Sequence, residues 1–243
     1  NFVFNSAIDV GDFNIRVAGS GTAGQGTAND FLLNTTGNVW GNATVFFDGS
    51  VKLGVSDAIA ATSTMVFGWT APEFSTSKLD LNGFDQTLAS IATTDVTDDG
   101  SNMSITDSTG TGTLTLNQAT DTTYTGRFDG AMNLVKAGVG TLTLNNRSSA
   151  AHSISGTTTV SAGILDIDTD DYTSAITVAA AGALEVDLGT TLALQAALSV
   201  DAASQIVIVG TPTLASYTLI SATSITGTPV LSAPIANYVL EVS

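Results

Sequence analysis

Gly163-Ile-Leu-Asp-Ile167 and Gly182-Ala-Leu-Glu-Val186 decide how this chain folds. In each, a small residue is followed by an apolar side chain at every second position. Alternation with period two sets Leu165 and Ile167 on one face and Ile164 and Asp166 on the other, the signature of a short half-buried strand. The pattern recurs as Gly49-Ser-Val-Lys-Leu53, Gly112-Thr-Leu-Thr-Leu116 and Gly140-Thr-Leu-Thr-Leu144. With Ser in the first place it returns as Ser77-Lys-Leu-Asp-Leu81 and Ser204-Gln-Ile-Val-Ile208. Val45, Val178 and Val200 stand four positions ahead of their small residue, and Val160 stands three ahead. Each unit therefore reads as strand, tight corner, strand. Two-residue Asn-Gly or Asp-Gly hairpin signals are mostly missing between the two halves.

The anchors are separated by 28 residues (Gly49 to Ser77 and Gly112 to Gly140), then by 23, 19 and 22 down to Ser204. That is the length of one coil of a parallel β-helix carrying two or three short strands. A single coil cannot bury its own apolar face, and stacking coils creates a continuous core. The expected fold is all-β, a right-handed parallel β-solenoid forming one elongated domain over residues 1–243. Residues 1–110 read as less regular early rungs, 111–210 hold the clearest repeats, and 211–243 read as terminal strands. Asn82, Asn117 and Asn145 follow the last apolar residue of their strands, where Asn suits left-handed corners and can bond to neighbouring coils. An antiparallel β-sandwich also accounts for many short strands, but it does not predict matched units at this spacing.

Composition agrees. Apolar residues make up 43%, enough for a core, while aromatics are only 7%, so Ala, Val, Leu and Ile must fill it. Twenty-two acidic residues against six basic ones give a net charge of −16, which repels nucleic acid and anionic membrane surfaces. With no cysteine and the single His152, disulfides, thiolate metal sites and histidine clusters are excluded. No apolar run reaches the roughly 18 residues of a membrane span. A chain that begins at Asn1 with no leader-like segment reads as a processed, exported piece.

Tyr124-Thr-Gly126, Leu134-Val-Lys136-Ala-Gly138-Val-Gly140-Thr-Leu-Thr-Leu144 and Ile154-Ser-Gly156-Thr-Thr-Thr-Val160-Ser-Ala-Gly163-Ile-Leu165 together resemble the autotransporter-associated β-strand repeat. Leu79-Asp-Leu-Asn-Gly-Phe-Asp-Gln-Thr-Leu88 is similar to another stretch common in the same proteins. The resemblance covers about a third of the chain. It implies an exported bacterial right-handed β-helix, displayed on or released from the cell surface. Family members range over adhesins and structural surface proteins, so the family alone does not choose a function.

Asp166, Asp168 and Asp170, in Asp166-Ile-Asp-Thr-Asp-Asp171, have the oxygen-ligand look of a calcium loop. An EF-hand needs Gly at its sixth position and Glu at its twelfth, where this chain has Asp171 and Thr177. A solvated acidic corner is the simpler reading, with weak calcium binding as the alternative and no other cofactor expected. Asp95, Asp98 and Asp99 read the same way. His152 has no Ser or Asp partner in triad-like context and reads as a corner or surface residue. Trp40, Trp69, Phe74 and Phe84 suit either the core of the early rungs or a sugar-stacking platform. No constellation for catalysis emerges, so the chain is not expected to be an enzyme. Asn-x-Ser/Thr triplets at Asn34, Asn42, Asn102 and Asn146 are what chance gives in so Thr-rich a chain.

Phe2, Val3 and Phe4 at one end and Tyr238, Val239 and Leu240 at the other read as apolar terminal strands without polar caps, which fits either a piece cut from a longer solenoid or ends that meet those of identical subunits. Unpaired strand edges invite pairing with further strands. The expectation is a structural extracellular or cell-surface protein that self-associates head to tail, as a fibre or surface-layer subunit. The alternative is an adhesin or glycan-binding passenger with host or matrix polysaccharide as partner, and a polysaccharide-active enzyme stands third.

Overall fold

A computed structural model describes residues 2–7, 15–18, 31–36, 44–48, 50–67, 77–93, 103–145, 152–168, 172–188, 190–236 and 239–241. The described residues contain strands and turns but no helix. Every strand pairing among them is parallel. The chain is a parallel β-solenoid, and the antiparallel sandwich is excluded.

From Met103 onward the coil visits three faces in a fixed order. Arg127–Gly130 lies on the first face, Asn133–Ala137 on the second and Thr141–Leu144 on the third. The next turn begins on the first face with Ser153–Ile154, and the single long strand Thr157–Ile167 then covers the second and third. Ala175–Asp187 repeats that double span one turn further on. The first face stacks seven strands, from Phe2–Phe4 through Phe31–Leu33, Ser50–Leu53, Ser77–Asp80, Met103–Asp107 and Arg127–Gly130 to Ser153–Ile154.

Register fixes the size of the coil. On the second face Gln86, Leu114, Leu134, Thr158, Ile176, Leu198 and Ile225 stand one above another, at intervals of 28, 20, 24, 18, 22 and 27 residues. The seven small-residue anchors do not all share one column. The strands begun by Gly49, itself outside the described residues, and by Ser77 pair on the first face. Gly112 opens a second-face strand. Gly140, Gly163, Gly182 and Ser204 open the third-face strands. The 28 residues from Gly112 to Gly140 are thus one turn of 20 plus a step to the next face. Period-two alternation reports that a strand is half-buried, and it cannot say against which face it packs.

The interior is lined by Leu, Ile and Val from all three faces, most of them fully buried. Through it runs a file of rings. Phe67 meets Tyr124 and Tyr124 meets Phe128 at 5.2 Å between centroids, and Phe128–His152 and His152–Tyr172 follow at 5.7 Å. Tilted and edge-on packing at these distances is favourable for aromatic pairs. Phe84 packs partly buried against the core, whereas Trp40, Trp69 and Phe74 lie outside the described residues.

Corners are stapled from turn to turn by Asp and Asn. Asp57 Oδ1 accepts the Thr87 N–H at 2.9 Å, Asp85 Oδ1 that of Thr113 at 2.8 Å, Asp121 Oδ1 that of Thr141 at 2.7 Å and Asn133 Oδ1 that of Thr157 at 2.9 Å. Asn82 adopts φ of 53° and donates Nδ2–H to Leu53 O, as its corner position suggests. Asn145 bonds to Asp168 on the next turn. These residues satisfy backbone groups that the bends remove from the ladders.

Candidate functional site

Of the acidic residues singled out in the sequence, Asp166 and Asp168 lie on the outside of the third face, near Glu185 and Asp187. Thr123, Thr143, Asp166 and Glu185 stand in one outward column. Alternation makes this inevitable, because Leu142, Leu165 and Leu184 take the inward places beside them. Asp121, with Thr122, Thr123, Thr141, Thr143 and Glu185, lines a shallow groove along the face. Partial burial is the main reason the Asp166 carboxyl is pushed up to about 6. The charges of Asp168, Glu185 and Asp187 add to the shift, and a Thr143 hydrogen bond opposes it. Asp168 and Glu185 are raised for the same reasons, burial first and neighbouring carboxylates second. Asp170 lies outside the described residues, as do Asp95, Asp98 and Asp99. Among the described residues no group of three or more His, Asp or Glu side chains is arranged to hold a metal ion.

A second polar feature lies inside. Lys136 is on the second face, in the column of Leu116 and Val160, and its side chain is fully buried. Its ammonium donates to the carbonyls of Ala137, Gly138 and Ala162, each at 3.1 Å. All three N–H bonds are thereby used, which is how a buried cation becomes tolerable without a carboxylate partner. Desolvation lowers its pKa to about 8, partly opposed by Asp121. The carbonyls are presented by corners where Gly138 and Gly163 take φ of 76° and 67°. The lysine ties one turn to the next at the bend between the second and third faces.

At the ends, Phe2–Phe4 pairs only with Phe31–Leu33 among the described residues, and Val3 is half exposed. Val239 is 84% exposed and Leu240 packs against the core, but residues 239–241 form no strand, contrary to the expectation of a C-terminal strand; Tyr238 lies outside the described residues. The last strands are Ile225–Thr226 and Val230–Leu231. Beside these strands lies an apolar groove of about 470 Å³ lined by Leu198, Ile206, Leu219, Ile225, Leu231 and Leu240.

His152 was misread from the sequence. It is fully buried, because it occupies the inward place on the first face that Phe128 holds a turn earlier and Tyr172 a turn later. The 24- and 20-residue spacings of Phe128, His152 and Tyr172 match the coil length, which is the signal that could have placed it.

These features define a class: a parallel solenoid with small-residue corners, a clamped lysine and a polar outer surface. Residues 134–167 match the passenger-associated-transport-repeat, so the repeat suspected from the sequence is present. The matched stretch covers the Lys136 clamp, both glycine corners and the third-face strand ending at Ile167. No curated protein and no solved structure matches the chain. Fold and repeat together fit an autotransporter passenger-like surface protein.

Proposed function

We propose that this chain is a structural length of an exported, cell-surface β-solenoid, with no catalytic task, whose end turns join neighbouring copies head to tail. The observation that carries this reading is that every strand pairing among the described residues is parallel, so that turn stacks on turn along all three faces. A parallel edge accepts another parallel strand in the same direction, and such a contact between identical copies repeats without closing. The apolar groove beside Ile225–Thr226 and Val230–Leu231 is surface that a stacked turn would cover. The outward carboxylates of the third face crowd one another, and no described base, nucleophile and orienting group stand together as catalysis requires.

Electron microscopy of the purified chain tests the assembly. Rods that lengthen with protein concentration support it. Particles one subunit long at every concentration, with a constant mass by light scattering, would refute it.

A further inference from the structure

His152 combines three features that a structural core residue does not need. Its Nδ1 accepts the Phe128 backbone N–H at 3.1 Å, so the neutral ring carries its proton on Nε2. Nε2 is itself buried with no hydrogen-bond partner. The ring is held between Phe128 and Tyr172. A second proton can enter only at Nδ1, where it would point at the Phe128 N–H. The imidazolium is therefore strongly disfavoured in this place, and charging the ring favours its expulsion.

The backbone around it is the thinnest ladder in the region. His152 pairs with Tyr172, and Tyr172 with Leu194, through isolated bridges, and the adjoining strand Ser153–Ile154 has two residues. Behind it, Thr157–Ile167 and Ala175–Asp187 hold the other two faces together through nine registered pairs. Local opening follows the weakest pairing. Expulsion of the ring would thus loosen the first face while the second and third stay closed.

We propose that His152 is an acid-sensitive latch, and that its protonation opens the first face between Arg127 and Leu194, exposing the core rings of Phe128 and Tyr172. The charged and titratable groups facing it are few. Asp129, beside Phe128, attracts the imidazolium, but its carboxylate is already engaged by Arg127 and by Ser153 Oγ at 2.7 Å. Tyr172 directs its hydroxyl to Thr158 at 2.7 Å, and the Tyr124 hydroxyl lies against Arg127 O. Arg147, Asp170 and Asp171 flank these strands in sequence and lie outside the described residues. Burial holds the imidazole at about 4, against 6.5 for a free histidine, with Asp129 acting in the opposite direction. A group whose folded value is depressed leaves the closed state at full strength above about 6.5. Closure weakens as the pH falls, and the loss is complete below about 4.

Hydrogen exchange of the intact chain at pH 7.5 and 4.5, corrected for intrinsic rates, tests this. Opening of segments 127–132 and 152–156 should increase roughly fifty- to a hundredfold at pH 4.5, while 158–167 and 176–186 change far less. His152→Phe and His152→Asn should abolish that difference. As the chain has a single histidine, its imidazole NMR resonance is unambiguous and should titrate below pH 5. The latch is overturned by an imidazole that titrates near 6.5, by equal loosening of all three faces, or by the same acid response in both variants. If neither variant folds, the wild-type titration and exchange pattern decide alone.

Discussion

Gly163→Ala should be among the most damaging single-methyl additions to this chain. Gly163 sits at φ of 67° on the corner that passes over the Lys136 clamp. A Cβ there would lie 2.6 Å from Gly140 O and 2.7 Å from Lys136 Nζ, and closer still to Gly138 O. The two carbonyls are backbone in the turn below and cannot swing aside. Holding alanine in the left-handed region costs about 1–2 kcal/mol, and forcing a methyl into a packed site costs about 1–3 kcal/mol more. The stiffer unfolded chain returns roughly 0.4–1 kcal/mol, leaving a net loss of about 3 kcal/mol. Gly83→Ala is the control. It has φ of 83°, but its Cβ would meet nothing nearer than the Thr109 side-chain Oγ1 at 3.3 Å, which has to give by only a few tenths of an ångström, so the conformational cost of about 1 kcal/mol is the main one. Urea unfolding followed by circular dichroism compares the two, and both midpoint and slope are needed because a solenoid can lose its turns piecemeal. Equal losses for both variants would show that the corner over the lysine is not packed as described.

Three other outcomes follow from the same geometry. Lys136→Met should change stability at pH 7 by less than about 2 kcal/mol, because it removes three hydrogen bonds and an unfavourable buried charge together; Lys136→Ala should lose about 2–5 kcal/mol through the cavity. The folded pKa of about 8 lies below the ordinary 10.5, so the folded protein releases this proton first, and wild-type stability should gain between about pH 8 and 10.5 a contribution that the Met variant lacks; parallel pH profiles would contradict the buried ammonium. Asp166→Asn should stabilise the chain at pH 7.5, by under about 1 kcal/mol after solvent screening. Its carboxyl is raised to about 6, so the strain is present above that pH, fades as pH falls towards 3.8, and the gain in melting temperature should vanish at pH 3.5. Asp85→Ala removes the acceptor of the Thr113 N–H and should cost about 1 kcal/mol by thermal denaturation, with no effect expected where the corner bond is not formed in solution.

How far the sequence could be read depended on the kind of signal. Leu165 and Ile167, or Leu184 and Val186, announce inward places by alternation alone, and their small-residue anchors at coil-length spacing announce stacked parallel turns. The acidic column was half legible. Outward Asp166 and Asp168 follow from the same alternation, but that Glu185, Asp187 and Asp121 crowd them comes from register. Residue type alone did not mark His152 and Lys136 as core residues, since a histidine or lysine in a strand has no intrinsic inward preference; for His152 only the coil-length spacing from Phe128 and to Tyr172 does.

Alternation, spacing and charge, which are properties of consecutive residues, determined a parallel solenoid with small-residue corners and an acidic exterior. The tertiary structure alone decided which of three faces each strand joins, that Gly112 and Gly140 belong to different faces, and that a lysine and a histidine are buried. The physical reason is that these polar groups are made tolerable by distant partners. Lys136 needs the Ala162 carbonyl 26 residues later and His152 the Phe128 N–H 24 residues earlier, and those atoms come within reach only when one turn lies on the next.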